Sequence, residues 1–310
     1  MRRSDVLELL TLAALWGGSF VFIRVAVPAF GPVALIAVRV AIASCILMPV
    51  LGLRDGFGAL RSYWPHLLVV GALNSAVPLC LFSYAELTLT AGFTSVLNAV
   101  APLCAAVVAF AWLGERISPL RVLGLMIGLA GVVVLVGGSS VLTAMHSGLA
   151  VAAALLATAL YGVASSYTKR FMTGVPPLAV AAGSQLAATV MLAPLAVWLW
   201  PAHTPTGHVW LHVVALGIAC TGIAYTLFFR LVAHVGPGRA ASVSFLIPVF
   251  GVLWGIVFLG ERLSASMAIG CAVILFGTAL ATGALAPGHR TKTELPRAPD
   301  TRDSLARSGR

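Results

Sequence analysis

Leu113-Gly114-Glu115-Arg116 closes one long apolar run, and Leu259-Gly260-Glu261-Arg262 closes another, 146 residues later. The same offset pairs Gly92 with Gly238, Pro102 with Pro248, Ser118 with Ser264, Gly124 with Gly270 and Gly131 with Gly277. Nearer the start of each half, an offset of 145 pairs Trp16-Gly17 with Tyr161-Gly162, Arg24 with Lys169 and Pro32 with Pro177. A repeat this long in so apolar a chain marks two large halves of one membrane protein. Duplicated sets of membrane helices are common in secondary transporters.

The composition supports that reading. The 310 residues are 60% hydrophobic and 9% charged, with a mean hydropathy of +1.03. No Asp, Glu, Lys or Arg occurs between Arg121 and Lys169, or between Arg170 and Arg230. Such runs belong in lipid or against other lipid-embedded helices. Backbone groups in hydrocarbon must be satisfied internally, so the choice is helices or a closed barrel. The runs are continuous and near span length rather than alternating, which selects helices. Ten spans are predicted: 7–27, 33–53, 66–86, 91–113, 119–137, 147–168, 177–200, 210–230, 238–259 and 265–285. The expected fold class is therefore an all-α polytopic membrane protein, with no room for a soluble domain. The first apolar run lacks a small-residue cleavage site and reads as a retained span.

The duplication divides the chain into 1–145 and 146–285, five spans each, followed by 286–310 as a disordered cytoplasmic tail rich in Pro, Thr, Ser and Arg. Five is odd, so the second repeat enters the membrane inverted. Basic residues agree. With a cytoplasmic N-terminus, the segments carrying Arg2, Arg54, Arg121, Lys169, Arg230 and the tail lie inside, while Arg262 is the single basic residue outside. The positive-inside rule then places both termini in the cytoplasm of a cell (inner) membrane. The net charge of +10 is a topology signal, and no nucleic-acid partner is expected.

Polar residues within spans are costly and tend to face a cavity or a partner. Arg24, Arg39 and Glu86 all fall in the outer third of the first repeat. The expectation is that Glu86 pairs with Arg24 or Arg39 and serves in gating or ion coupling; interfacial anchoring of the arginines is the alternative. Pro78, Pro102 and Pro248 interrupt spans 3, 4 and 9 and are expected to break those helices beside the central path, with plain helix packing as the alternative. Trp16, Phe20, Asn74, Tyr84, Asn98, Tyr161, Gln185, Tyr225, Ser244 and Trp254 are the candidates for a cavity poor in charge, suited to a small amphipathic or zwitterionic molecule. Each could equally bond a neighbouring helix.

Gly124-x-x-x-Gly128 and Gly251-x-x-x-Gly255 read as close-packing seams within the chain, with a homodimer surface as their second use. The five cysteines all lie in spans and read as packing residues. His208 and His212 have one-turn spacing but no acidic or thiolate companion, so neither a metal nor a cofactor is expected. No cluster of nucleophile, base or metal ligands suggests a catalytic site, so an enzyme is not expected.

Taken together, Leu-Trp-Gly-Gly-Ser-Phe (15–20) with Arg24, Pro32 and Arg39, then Pro102 and Pro248 each followed by Leu-Gly-Glu-Arg, resemble the drug/metabolite transporter superfamily. The closer likeness is to its ten-helix EamA-type proteins, over residues 6–285. The second repeat departs where Tyr161-Gly162-Val163-Ala164 replaces the Trp-Gly signature. The resemblance implies two inverted five-helix repeats around a central cavity, and export or exchange of metabolites, amino acids or drug-like molecules. With no Walker motif, an ion gradient or exchange is expected to drive alternating access. An uncoupled facilitator or channel is the alternative, and an integral-membrane enzyme a more distant one. The expected partners are a small-molecule substrate and the lipid bilayer.

Overall fold

The computed structural model describes residues 2–54, 56–115, 118–137 and 147–284. Arg116 and the tail expected at 286–310 lie outside the described residues. All regular structure among the described residues is helical. Ten elements follow the chain: α1 (Arg3–Phe30), α2 (Pro32–Gly52), α3 (Phe57–Ala85), α4 (Ala91–Leu113), α5 (Pro119–Gly137), α6 (Ser147–Phe171), α7 (Pro177–Trp198), α8 (Gly207–Val235), α9 (Val243–Leu259) and α10 (Ala265–Thr282). They correspond one to one with the spans read from the sequence. Prolines open α2, α5 and α7, where the missing N–H costs no helical bond. One helix outruns its apolar core: α3 begins at Phe57 rather than 66, because a short helical stretch precedes the span and joins it across a kink at Tyr63, where φ is −112° and ψ 15°.

The two repeats are inverted, and glycine contacts reveal the symmetry. A Cβ on Gly17 of α1 would sit 2.7 Å from Phe250 Cβ and 2.8 Å from the Gly251 nitrogen of α9. Its repeat equivalent, Gly162 of α6, would meet the Ala105 nitrogen of α4 at 2.8 Å. Each first helix of one repeat therefore lies backbone-close to the fourth helix of the other. α5 and α10 pack together most extensively, and there a Cβ on Gly277 would run into the Gly128 nitrogen. The Gly124-x-x-x-Gly128 seam is thus an intramolecular contact. α2 and α7 form another large pairing between repeats.

Two features depart from the expected breaks. α3 and α8 each contain a π-helical segment, Ala72–Ala76 and Ile218–Ile223, at repeat-equivalent positions. Pro78 follows directly, as the second residue of the segment Val77–Ala85. α4 is broken after Asn98, and Pro102 occupies the first turn of the next segment, Ala101–Leu113. Pro248 behaves differently. It lies inside the continuous α9, while the chain breaks earlier, at Ala241–Ser242, after the short helical turn Pro237–Ala240. A proline within a helix removes one donor and leaves the carbonyl four residues earlier free; here that residue is Ser244, which borders the cavity described below.

The start of α1 and the ends of α4, α6 and α8 share one end of the bundle. Glu8 of α1 pairs with Arg230 of α8 at 3.2 Å there, and Glu115 pairs with Lys169 of α6. This is the Glu115 end; the Glu261 end is opposite.

Candidate substrate cavity

A cavity of about 450 Å³ lies between the two repeats. That volume is within the usual range for small-molecule sites. Trp16, Phe20 and Ser19 enter it from α1, Arg39 from α2, Asn74, Leu79 and Phe82 from α3, and Asn98 from the break in α4. The second repeat contributes Tyr161, Gln185, Cys220, Thr221, Tyr225, Phe228 and Ser244. The aromatic-glycine pairs 16–17 and 161–162 thereby do the same two things in both repeats. The ring borders the cavity, and the glycine admits the facing helix.

Eight of the ten cavity residues read from the sequence border this space: Trp16, Phe20, Asn74, Asn98, Tyr161, Gln185, Tyr225 and Ser244. Two lie elsewhere. Tyr84 is on the outside of the bundle, 39% exposed. Trp254 ties α9 to α1 by donating its indole N–H to the Ala14 carbonyl at 3.0 Å, which satisfies its polar edge away from the cavity.

The π segments place the polar floor. Thr221 Oγ1 donates to the Leu216 carbonyl five residues earlier at 3.0 Å, a bond that the wider π turn permits. The same oxygen accepts from Arg39 Nε at 3.0 Å. Gln185 Nε2 donates to Ser75 Oγ at 3.0 Å, leaving its Oε1 buried without a hydrogen-bond partner. The Tyr225 hydroxyl lies beside Asn74 and Gln185. Sequence reasoning missed Thr221, Cys220 and Ser75. Their signal was present, because Asn74-Ser75 and Cys220-Thr221 occupy matching positions at the 146-residue offset.

Arg39 is buried, lines the cavity and makes no ion pair among the described residues. Its Nη1 has no hydrogen-bond partner. Glu86 is also buried but stands behind the cavity wall at the Glu261 end. The ion pair expected between Glu86 and an arginine is not formed: Arg24 donates instead to the Glu86 backbone carbonyl, and both carboxylate oxygens of Glu86 are without partners. Arg24 reaches the carbonyl because Glu86 ends α3, where carbonyls lack intrahelical donors.

The two ends of the cavity differ. At the Glu261 end, the Glu261 carboxylate accepts from the backbone N–H groups of Ala91 and Gly92, at 2.7 and 2.9 Å. It thereby caps the first turn of α4, and that turn packs along α9. The left-handed Gly260, with φ 66°, stops α9 and turns the chain so that the next side chain can reach across. At the Glu115 end Gly114 adopts the same conformation, with φ 68°, yet Glu115 is engaged with Lys169. The turn Pro237–Ala240, at the position equivalent to the start of α4, packs on α8. A second recess, about 200 Å³, meets the cavity at Asn74 and Tyr225 and extends to Thr168, Met172 and Phe229.

Comparison with known proteins adds to this geometry. The EamA-like transporter family model matches residues 4–137 and 148–283, one copy per repeat. A protein of Ancylobacter novellus named "Aromatic amino acid exporter YddG" is 35% identical over 174 residues, covering 54% of this chain and 59% of that protein. "Probable terminal-alkyne amino-acid exporter" of Streptantibioticus cattleyicolor is 27% identical over 84% of this chain and 88% of its own length. "Uncharacterized inner membrane transporter YedA" of Escherichia coli K12 is 28% identical over 88% and 89%. A solved crystal structure superposes with a TM-score of 0.65 at 28% identity, covering 91% of this chain and 97% of its own.

Proposed function

Because the chain belongs to the EamA-like transporter family, we propose that it exports small amphipathic metabolites, amino acids among them, and that the cavity between its repeats is the substrate site. One observation carries this reading: a cavity shared by both repeats is bounded at one end by Glu261 bonded across to α4, while its sequence equivalent at the other end, Glu115, pairs instead with Lys169. Two inverted repeats of similar sequence can exchange those conformations. Closing the Glu115 end while releasing Glu261 would turn the cavity to the opposite side of the membrane. The names of the amino-acid exporters among its relatives agree with this substrate range.

The distribution of basic residues supports placing the Glu115 end and both termini in the cytoplasm. In that orientation the Glu261 contact would close the outer end of the cavity, the state in which an exporter loads. Glu86 is the proposed proton-coupling group, because a buried carboxylate with no partner is costly and tends to mark function. Trp16, Tyr161 and Tyr225 are the proposed walls for an apolar substrate body, and Asn74, Asn98 and Gln185 its polar contacts.

The test is counterflow of radiolabelled amino acids in proteoliposomes. Saturable counterflow, abolished by Ser244→Trp in the cavity, is the expected outcome. Ohmic current without counterflow would replace the carrier with a channel. Glu86→Gln should keep counterflow, which needs no gradient, and lose uptake driven by a pH gradient. Unchanged gradient-driven uptake would remove Glu86 from coupling. Thiol labelling should find Ser118→Cys cytosolic and Ser264→Cys exterior.

A further inference from the structure

We propose that the cavity selects molecules bearing a single carboxylate on an apolar, preferably aromatic, body, that Arg39 is the group that binds the carboxylate, and that an ammonium on the ligand is dispensable. The proposal rests on the reading that this cavity is the substrate site and deepens it to a chemical class.

The argument begins with charge. Arg39 is the one charged side chain bordering the cavity among the described residues. It is only 5% exposed, and a guanidinium at that depth needs compensation. The protein supplies little. Thr221 Oγ1 accepts from Nε, while Nη1 has no acceptor, and Glu86, the acid whose charge acts on it, does not pair with it. Thr221 fixes Nε and so orients the guanidinium, which borders the cavity. Guanidinium and carboxylate match in shape and charge, and such pairs form the stronger class of hydrogen bond. The cavity wall therefore has the chemistry of an anion receptor.

The remaining walls define the rest of the ligand. Trp16 and Phe228 are packed with ring centroids 5.4 Å apart, Trp16 and Tyr225 at 6.1 Å, and Phe82 and Tyr161 at 5.9 Å. These rings offer faces and edges to a planar apolar group. No Asp or Glu borders the cavity among the described residues, so an ammonium would meet only neutral oxygens such as the buried Gln185 Oε1. An amino acid is therefore accepted through its carboxylate, and the corresponding keto acid should be accepted as well. A lone amine should be rejected by Arg39.

Three probes that share a phenyl ring separate the contributions. L-Phenylalanine carries both charges, phenylpyruvate only the carboxylate and 2-phenylethylamine only the ammonium. Binding to the purified full-length protein in detergent is read by tryptophan fluorescence and thermal shift, and transport by counterflow. In the unaltered protein both acids should bind and the amine should not. Arg39→Gln should weaken both acids at least tenfold, and Arg39→Lys should recover part of that loss. Thr221→Val, which frees Nε, should weaken the acids by a smaller factor. Equal binding of 2-phenylethylamine, binding of neither acid, or acids unaffected by Arg39→Gln would each overturn the proposal. The unaltered protein decides the first two even if the Arg39 variants do not fold. Ser244→Trp separates the two levels of the reading. If it abolishes all binding while Arg39→Gln changes nothing, the carboxylate assignment fails alone; if it changes nothing, the cavity assignment fails.

Discussion

At one end of the molecule Glu261 crosses from the second repeat and caps the first turn of α4, accepting from Ala91 and Gly92. At the other end Glu115, in the same Leu-Gly-Glu-Arg sequence and after the same left-handed glycine, holds a lysine at the surface. The difference lies in what each glutamate is offered. The first-repeat target has two N–H donors, at residues 91 and 92. Its counterpart begins at Pro237, which has none, so only Gly238 could donate. A hydrogen bond to a charged group contributes about 1.5–3 kcal/mol. On the proposed alternation between the two ends, two donors against one would bias the protein toward closing the Glu261 end. The repeats are similar enough to exchange roles and different enough to have a resting state.

Glu261→Ala should produce the largest effect. It removes both bonds and the favourable charge at the helix start, so the Glu261 end should open by up to about 3–6 kcal/mol at two such bonds. The readout is labelling of Ser95→Cys, in a cysteine-free background, by a membrane-impermeant reagent added from that side. Ser95 is buried where α4 meets Gly251 of α9, so its labelling reports separation of the two helices. A hundredfold faster reaction is expected, and an unchanged rate would refute the idea that Glu261 holds this end closed. Pro237→Ala attacks the bias from the other side by restoring the missing donor. One added charged bond predicts about a tenfold shift toward the Glu115-closed state, again seen as faster labelling of Ser95→Cys.

Gly92→Ala should act more weakly at the same end. Its Cβ would lie 2.6 Å from Met267 Cε, which can move, but also 3.2 Å from Val252 Cα, which cannot easily do so. Overpacking of this size costs about 1–2 kcal/mol and should raise labelling several-fold. If Gly92→Ala labels faster than Glu261→Ala, packing rather than the carboxylate holds α4 against α9.

How far these differences could be read from sequence depends on the kind of interaction. The ten spans and their division into repeats were legible, because apolar length and a fixed offset are properties of the chain itself. Most of the cavity wall was legible for a related reason: a polar group in a membrane helix has few places to go. Direction was harder. Tyr84 and Trp254 have the same amphipathic character as Tyr161 and Trp16, but one faces out and the other bonds a helix carbonyl. The π segments were not legible from hydropathy, since one extra residue in a turn leaves composition unchanged and alters only which side chains face inward. The partner of Arg24 was misread because ion-pair reasoning counts side chains, whereas the available acceptor was a helix-terminal carbonyl.

Lys169→Gln should have the smallest effect, and it isolates the cause of the asymmetry. The Lys169–Glu115 pair is solvent-exposed, with side chains 66% and 37% accessible. Such pairs contribute at most about 0.5–1 kcal/mol, so the melting temperature should change little. Two accounts of the idle Glu115 remain separable: it is held away by Lys169, or it lacks a donor because of Pro237. If the missing donor is decisive, Lys169→Gln alone leaves Ser95→Cys labelling within twofold of the parent. If the lysine is decisive, it reproduces most of the Pro237→Ala shift. The double variant completes the comparison. Residues that act on one carboxylate should couple, so a shift larger than the product of the two single effects is expected: the freed Glu115 then finds the donor that Pro237 had denied it.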